Sequence, residues 1–198
     1  MEYSEFVQYV LAECEKVRSD ITSIDHALKH FCVIEKGWVA EFGVYNGSSL
    51  KKIREGTPQN IPVVGFDCFT GLPETWRVGF GQGMFNLNGN IPQIMDNTII
   101  VKGLFDAVLP QVMLLLGDKP LPLRLLHIDC DLYSSTRTVF EKCKDSIVSG
   151  TVIVFDELVE YQGFEEHEMK AFYEFIQATN HRFDVLVKTG ETVAVRII

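Results

Sequence analysis

From Gly37 onward the chain alternates short apolar runs with stretches whose apolar residues recur every three to four positions. The runs at 38–42, 63–66, 98–101, 123–128 and 151–155 read as strands buried on both faces. Helical spacing starts at Ser48, passes through 108–116 and covers 134 to about 144. This alternation predicts an α/β fold of the Rossmann-like kind, a mostly parallel sheet with helices on both faces. The end of the chain breaks the rhythm. A helix over about 166–179 is followed by strand-like runs at 182–188 and 191–198, joined only by Thr189-Gly190. So short a connection makes a hairpin, which adds an antiparallel strand and brings the sheet to seven.

Ahead of the sheet, Phe6, Val7, Val10, Leu11, Cys14 and Val17, then Ile24, Ala27, Leu28 and Phe31, fall at helical spacing. Two extra amphipathic helices are expected within 1–36, with Ser4 and either Thr22 or Ser23 as caps. Between the second and third strands lies a segment, 70–97, without periodicity. It holds Gly79, Gly81, Gly83 and Gly89 among Trp76, Phe80, Phe85, Ile91 and Pro92. A stretch this long and this aromatic is expected to be a lid, because disordered segments are poor in aromatics.

Composition narrows the function classes. With 198 residues, 46% of them hydrophobic, the chain is expected to form a single domain over 1–198. A formal charge of −9 with scattered Lys and Arg argues against a nucleic-acid partner, which needs a clustered basic stripe. The start lacks a basic region leading into an apolar one, and no apolar stretch is long enough to span a bilayer, so a soluble cytoplasmic protein without a membrane partner is expected. The five cysteines, Cys14, Cys32, Cys68, Cys130 and Cys143, form no C-x-x-C pair and read mostly as small buried hydrophobes. Cys130 lies between two acids, but nothing in the sequence supplies it with a base.

Candidate chemistry sits at the strand ends. The run 123–128 leads into Asp129-Cys130-Asp131, and the run ending at Phe155 leads into Asp156-Glu157. In open α/β sheets ligands bind outside the carboxyl ends of the strands, so four carboxylates should meet in one crevice. A divalent cation or a catalytic proton transfer would relieve their repulsion. After the first strand comes Glu41-Phe42-Gly43-Val44-Tyr45-Asn46-Gly47-Ser48-Ser49, where glycines let the backbone turn sharply and Ser48 or Ser49 can cap the helix. Asp67 ends the second strand, where nucleotide-binding sheets hold ribose hydroxyls. Tyr45 occupies the position of the middle glycine of G-x-G-x-x-G, which disfavours a diphosphate ligand.

These blocks, with Phe66-Asp67-Cys68-Phe69-Thr70-Gly71-Leu72-Pro73, Lys102-Gly103-Leu104-Phe105, Leu109-Pro110, the residues from His127 to Thr136, and Val152 to Glu157, resemble the class I S-adenosylmethionine-dependent methyltransferases. Within them the chain is similar to the macrocin O-methyltransferase (TylF-type) family over about 37–160. The resemblance implies that Glu41, Gly43, Val44, Tyr45, Asn46, Gly47 and Ser48 form the cofactor turn, lining the methionine end of S-adenosylmethionine. It implies that Asp67 binds its ribose, and that Phe69 and Gly103 lie beside its adenine. Asp129 falls both beside the cofactor and, with Asp156 and Glu157, where a divalent cation, usually magnesium, is held. Asp131 falls where a base has been inferred, which with Asp129 makes the catalytic pair.

The chemistry of the residues agrees with that placement. A cation on carboxylate oxygens can bind a vicinal diol and lower the pKa of one hydroxyl, and a further acid can accept its proton. For Asp131, base, cap of the following helix, or both remain open. His127, inside an apolar strand, reads as a core residue with a fixed partner. Segment 70–97 holds no histidine, so no histidine base comes from it. His167 opens the late helix, where a contact to substrate remains open, and the acids around it read as a solvated first turn.

The expected function is therefore cation-assisted O-methylation of a hydroxyl on a sugar or polyol-bearing small molecule. A catechol acceptor suits the same geometry, and a two-metal phosphoesterase is the competitor from another class, which leaves Asp67 and the glycine turn unexplained. A nicotinamide-linked oxidoreductase lacks the middle glycine, and a binding protein without catalysis would not need the intact acids. A homodimer through the apolar N-terminal helices is expected from the resemblance, although helices packed on their own sheet would carry the same pattern.

Overall fold

The computed structural model describes residues 1–31, 34–115 and 120–198. Its strands are β1 (Trp38–Phe42), β2 (Val63–Asp67), β3 (Ile99–Lys102), β4 (Leu123–Ile128), β5 (Val152–Phe155), β6 (Phe183–Thr189) and β7 (Thr192–Ile197). They form one sheet in the order β3-β2-β1-β4-β5-β7-β6. All neighbours from β3 to β5 pair in parallel, and β7 runs antiparallel to both β5 and β6. The reversal follows from the tight hairpin, whose Gly190 takes a positive φ of 60°.

The helices are α1 (Tyr3–Lys16), α2 (Ser23–His30), α3 (Ser48–Gly56), α4 (Phe105–Leu115), α5 (Tyr133–Cys143) and α6 (Glu168–Thr179). Because successive strand residues point to opposite faces, the central strands feed two cores. Trp38, Ala40, Phe42, Leu126, Ile128, Ile153 and Phe155 pack with residues of α1, α4, α5 and α6. Val39, Leu125, Val152 and Val154 pack with residues of α2 and α3 on the other side. This double burial is why β5 reads as a continuous apolar run and β1 and β4 as largely apolar ones.

Some local expectations change. Ser4 lies inside α1, which is capped instead by Glu2 in a capping box with Glu5. Thr22 does cap α2, its side chain accepting from the Asp25 backbone N–H at 3.3 Å. The α3 cap is neither Ser48 nor Ser49: Gly47 is at that position with φ 82°, and Asn46 Oδ1 accepts from Ser48 N at 3.0 Å and Ser48 Oγ at 2.8 Å. The late helix starts at Glu168, because Gly163 at φ 85° and His167 at φ −113°, ψ −121° set off a separate short turn over Phe164–Glu166. Helix α4 begins at Phe105, before the apolar period becomes visible, and Leu116 and Cys32 lie outside the described residues. Among the described residues, no helix is long and apolar enough to cross a membrane.

Candidate active site

The carboxyl ends of β1 to β5 open into a cleft of about 420 Å³, within the range of about 300–1,000 Å³ usual for small-molecule sites. Gly43, Tyr45, Asp67, Gly103, Asp129, Asp131, Asp156 and Glu157 all line it. Backbone bonds fix the acids at this edge. Asp129 N donates to Phe42 O and Asp156 N to Ile128 O, each at 2.9 Å, so the ladder extends one residue past each strand before the chain turns away.

The glycine turn is held from below and from the side. At Gly43, φ is 93° and an added Cβ would stand 1.6 Å from the carbonyl oxygen of Asp129, so only glycine lets the two loops touch. Asp67 Oδ2 accepts from the backbone N–H groups of Val44 and Tyr45, both at 2.8 Å, and Oδ1 accepts from Phe69 N at 2.7 Å. The acid that the sequence marked for a ribose thus also locks the turn. Glu41, Val44, Asn46, Gly47, Ser48 and Phe69 do not line the cleft. Val44 and Phe69 reach it only through backbone bonds to Asp67, their side chains being buried in the second core. Asn46, Gly47 and Ser48 build the start of α3.

Glu41 is fully buried under the turn. It and His127 are register partners on adjacent strands, and Glu41 Oε1 bonds to His127 Nδ1 at 2.9 Å. Burial alone would lower the His127 pKa, but the Glu41 bond and charge, with Asp129 and Asp156 behind, lift it to about 9. The fixed partner expected for this histidine is therefore Glu41.

At the other end of the cleft, one oxygen from each of Asp129, Asp156 and Glu157 lies within 4.8 Å of the others. Burial and the charge of Asp156 push Asp129 well above the ordinary carboxyl range. The same causes lift Glu157 to about 10, and burial followed by the Asp156 charge lifts Asp131 to about 7. Repulsion of this kind among crowded carboxylates is what a bound cation would relieve. Glu41, His127 and Asp129 also bring ligand atoms within 4.8 Å, but the Glu41–His127 bond already satisfies part of that set. Asp131 has φ 63°, and α5 carries Leu132 at its cap position with no side-chain cap bond, so the cap role does not describe Asp131. Burial drives the Cys130 thiol well above its usual range, which removes it as a nucleophile.

Segment 70–97 supplies a wall that the sequence did not resolve to residues. Gly71, Leu72, Pro73 and Phe85 line the cleft, with Tyr45 and Phe85 rings 5.4 Å apart closing it over the glycine turn. The segment turns back on itself through Trp76 N to Phe80 O at 3.0 Å, and it is tied down by the Arg77–Glu191 ion pair at 3.1 Å and by Ser134 Oγ donating to Glu74 at 2.5 Å. Cys68, Leu104, Phe105, Asp106, Ser134, Ser135 and Thr138 complete the lining. Ser134, Ser135 and Thr138 share one helix face at i, i+1 and i+4, a polar stripe visible in the sequence once α5 is known to start beside the acids.

No family model and no curated protein matches the chain. Among solved structures, CalS11, a calicheamicin methyltransferase, is similar with a TM-score of 0.66 at 21% identity, over 88% of this chain and 77% of its own. The O-methyltransferase NovP gives a TM-score of 0.64 at 16% identity, over 87% and 78%. An O-methyltransferase from Bacillus cereus, solved with SAH, gives 0.54 at 19% identity, over 98% and 90%. With its strand order, its reversed β7 and these likenesses, the chain has the class I methyltransferase fold.

Proposed function

We propose that this chain is an S-adenosylmethionine-dependent O-methyltransferase of the macrocin O-methyltransferase (TylF) type, which uses a divalent cation such as magnesium to methylate a hydroxyl of a sugar or polyol-bearing small molecule. One observation carries the reading. A single cleft has Asp67 and the glycine turn at one end, and at the other three carboxylates whose oxygens lie within 4.8 Å of one another.

The residues fit both groups. Gly43 lines the cleft where the turn closes onto the Asp129 backbone, and Asp67 keeps acceptor capacity because three N–H donors occupy three of a carboxylate's roughly four lone-pair sites. For the cation, Asp129, Asp156 and Glu157 offer hard oxygen ligands, and Glu157 Oε2 is buried with no partner. The cofactor supplies an electrophilic methyl group, and the cation lowers the pKa of an acceptor hydroxyl.

What the chain itself does is align, exclude water and move a proton. Asp129, next to both ends of the cleft, holds the acceptor side against the cofactor side, and such alignment is a main source of rate in displacement reactions. Asp131, which lines the cleft two residues after Asp129, takes the hydroxyl proton on its carboxylate. Leu72, Pro73 and Phe85 keep bulk water from the reacting atoms.

Support for a sugar acceptor comes from the fold neighbours, one of which, CalS11, is described as a TDP-rhamnose 3′-O-methyltransferase. The test is transfer of labelled methyl from S-adenosylmethionine to a panel of nucleotide sugars, glycosides and catechols, with magnesium or with EDTA. Magnesium-dependent labelling of a sugar or polyol is the expected result. Labelling that survives EDTA would remove the cation from the mechanism, and labelling of catechols alone would replace the acceptor class.

A further inference from the structure

Glu191, in the turn between β6 and β7, holds two different segments at once. Its carbonyl oxygen accepts from Leu158 N at 3.0 Å and from Val159 N at 3.3 Å, the residues that directly follow the cleft acids Asp156 and Glu157. Its carboxylate Oε2 accepts from Arg77 Nη1 at 3.1 Å, in the middle of segment 70–97. One residue therefore ties the lid to the acid-bearing loop after β5.

The two sides are not equally anchored. The acid loop is tied again one residue on, where the Glu160 carboxylate accepts from Lys188 Nζ of β6 and from Arg18 Nη2, the latter at 2.5 Å. The tip of the lid lacks such a second tie. Among the described residues, the other hydrogen bonds made by 75–83 stay inside the lid, as from Phe80 N to Arg77 O and from Gly83 N to Leu72 O. Gly79 and Gly83 take positive φ, and these two with Gly81 have open space where a Cβ would stand, so the backbone there swings without a clash. Packing is what else holds the tip. The Arg77 guanidinium lies 4.0 Å from the Trp76 ring and 4.6 Å from the ring of Tyr161, which belongs to the acid-bearing loop, and Trp76 meets Tyr161 at 5.8 Å. Arg77 is common to the ion pair and the aromatic stack.

The tip is continuous with the cleft wall. Trp76 and Tyr161 share a buried cluster with Leu72, and Phe80 packs on Phe85 at 5.9 Å, Leu72 and Phe85 being cleft-lining residues. Resting on the cleft reading above, we propose that Arg77 and Glu191 are positioning residues that form the latch of the lid: closed, the pair seats Leu72 and Phe85 against the acid-bearing loop, and released, it lets 75–83 swing away and opens the cleft to its acceptor. The two side chains are 23% and 36% exposed, so water and salt reach the pair and it opens without unfolding the core.

The test is hydrogen–deuterium exchange of the full chain, without added cofactor or metal, for wild type, Glu191→Gln, Arg77→Gln and the double variant, alongside thermal melts. An exposed ion pair shifts an opening equilibrium by about two- to fivefold, and Glu191→Gln is expected to speed exchange over 75–84 by that factor. The Leu158 and Val159 amides should stay as protected as in wild type, since the Glu191 carbonyl is retained. The double variant should exchange no faster than Arg77→Gln alone, because one latch is lost once. Raising NaCl from about 0.05 to about 0.5 M should speed lid exchange in wild type and leave Glu191→Gln unchanged. Wild-type lid exchange in Glu191→Gln, additive effects in the double variant, or a wild-type lid indifferent to salt would each overturn the latch. Faster exchange across α5, α6 and the central strands with a lower melting point would overturn it too, by making Glu191 a structural residue. S-adenosylmethionine plays no part in these readings, so failure of the latch is told apart from failure of the cleft to bind the methyl donor.

Discussion

Asp67 Oδ2 accepts the backbone N–H of Tyr45 at 2.8 Å while Tyr45 sits at φ 45°, so the acid at the end of β2 holds a strained residue of the glycine turn in place. The same oxygen takes the Val44 N–H. Preorganising the turn and binding a ribose, the role proposed for Asp67, are compatible tasks for one carboxylate, and both are expected to be lost together when it is removed. Asp67→Ala should abolish measurable S-adenosylmethionine binding and destabilise the fold by about 2 kcal/mol, from N–H groups left without a charged acceptor. Calorimetry and urea unfolding read the two losses separately.

Gly43 and Asp129 touch through their backbones. Gly43→Ala puts a methyl group into the Asp129 carbonyl at a φ that alanine avoids, and neither loop has a flexible side chain that could yield. We expect a loss of about 3 kcal/mol or more in chemical denaturation, with cofactor and Mn²⁺ binding both impaired because the displaced loop carries a ligand.

The Glu41–His127 pair is fully buried, and breaking such a pair by removing one partner costs about 3–5 kcal/mol. Glu41→Leu and His127→Leu should each lower stability by that order. The double variant should recover much of it, since two apolar residues leave no orphaned charge. A double variant as unstable as the sum of the singles would mean that the pair is not the relevant interaction.

Asp131 has φ 63°, a conformation that asparagine tolerates well, so Asp131→Asn keeps the backbone and removes only the proton acceptor. A drop in kcat of about 10²–10⁴-fold is expected, the usual contribution of a general base, with Mn²⁺ affinity within a few-fold of wild type. Steady-state kinetics at saturating cofactor checks it.

Much of this architecture was legible before the structure because period and chemistry coincide. The run 152–155 is apolar throughout, since both faces of the sheet are covered, and it ends where the acid begins. The hairpin at Gly190 announced the reversed strand for a purely local reason. What could not be read was long-range. Gly47 takes the cap position of α3 while Asn46 Oδ1 accepts from Ser48 N, and Glu41 is buried beside its register partner His127 on the neighbouring strand. Segment 70–97 has no period to read, and its place is set by contacts with α5 and the β6–β7 hairpin, through Ser134 and Glu191. Glu168 was hidden for the same reason. Its sequence context is acidic and polar, and only the packing of α6 reveals that it is buried.

The most direct test of the account is calorimetric titration of S-adenosylhomocysteine into the purified chain and into Asp67→Ala. Saturable one-to-one binding by the wild type, lost in Asp67→Ala, is the predicted result. No heat of binding to a folded wild-type protein, or equal affinity in the two, would contradict the assignment of this cleft to the methyl donor.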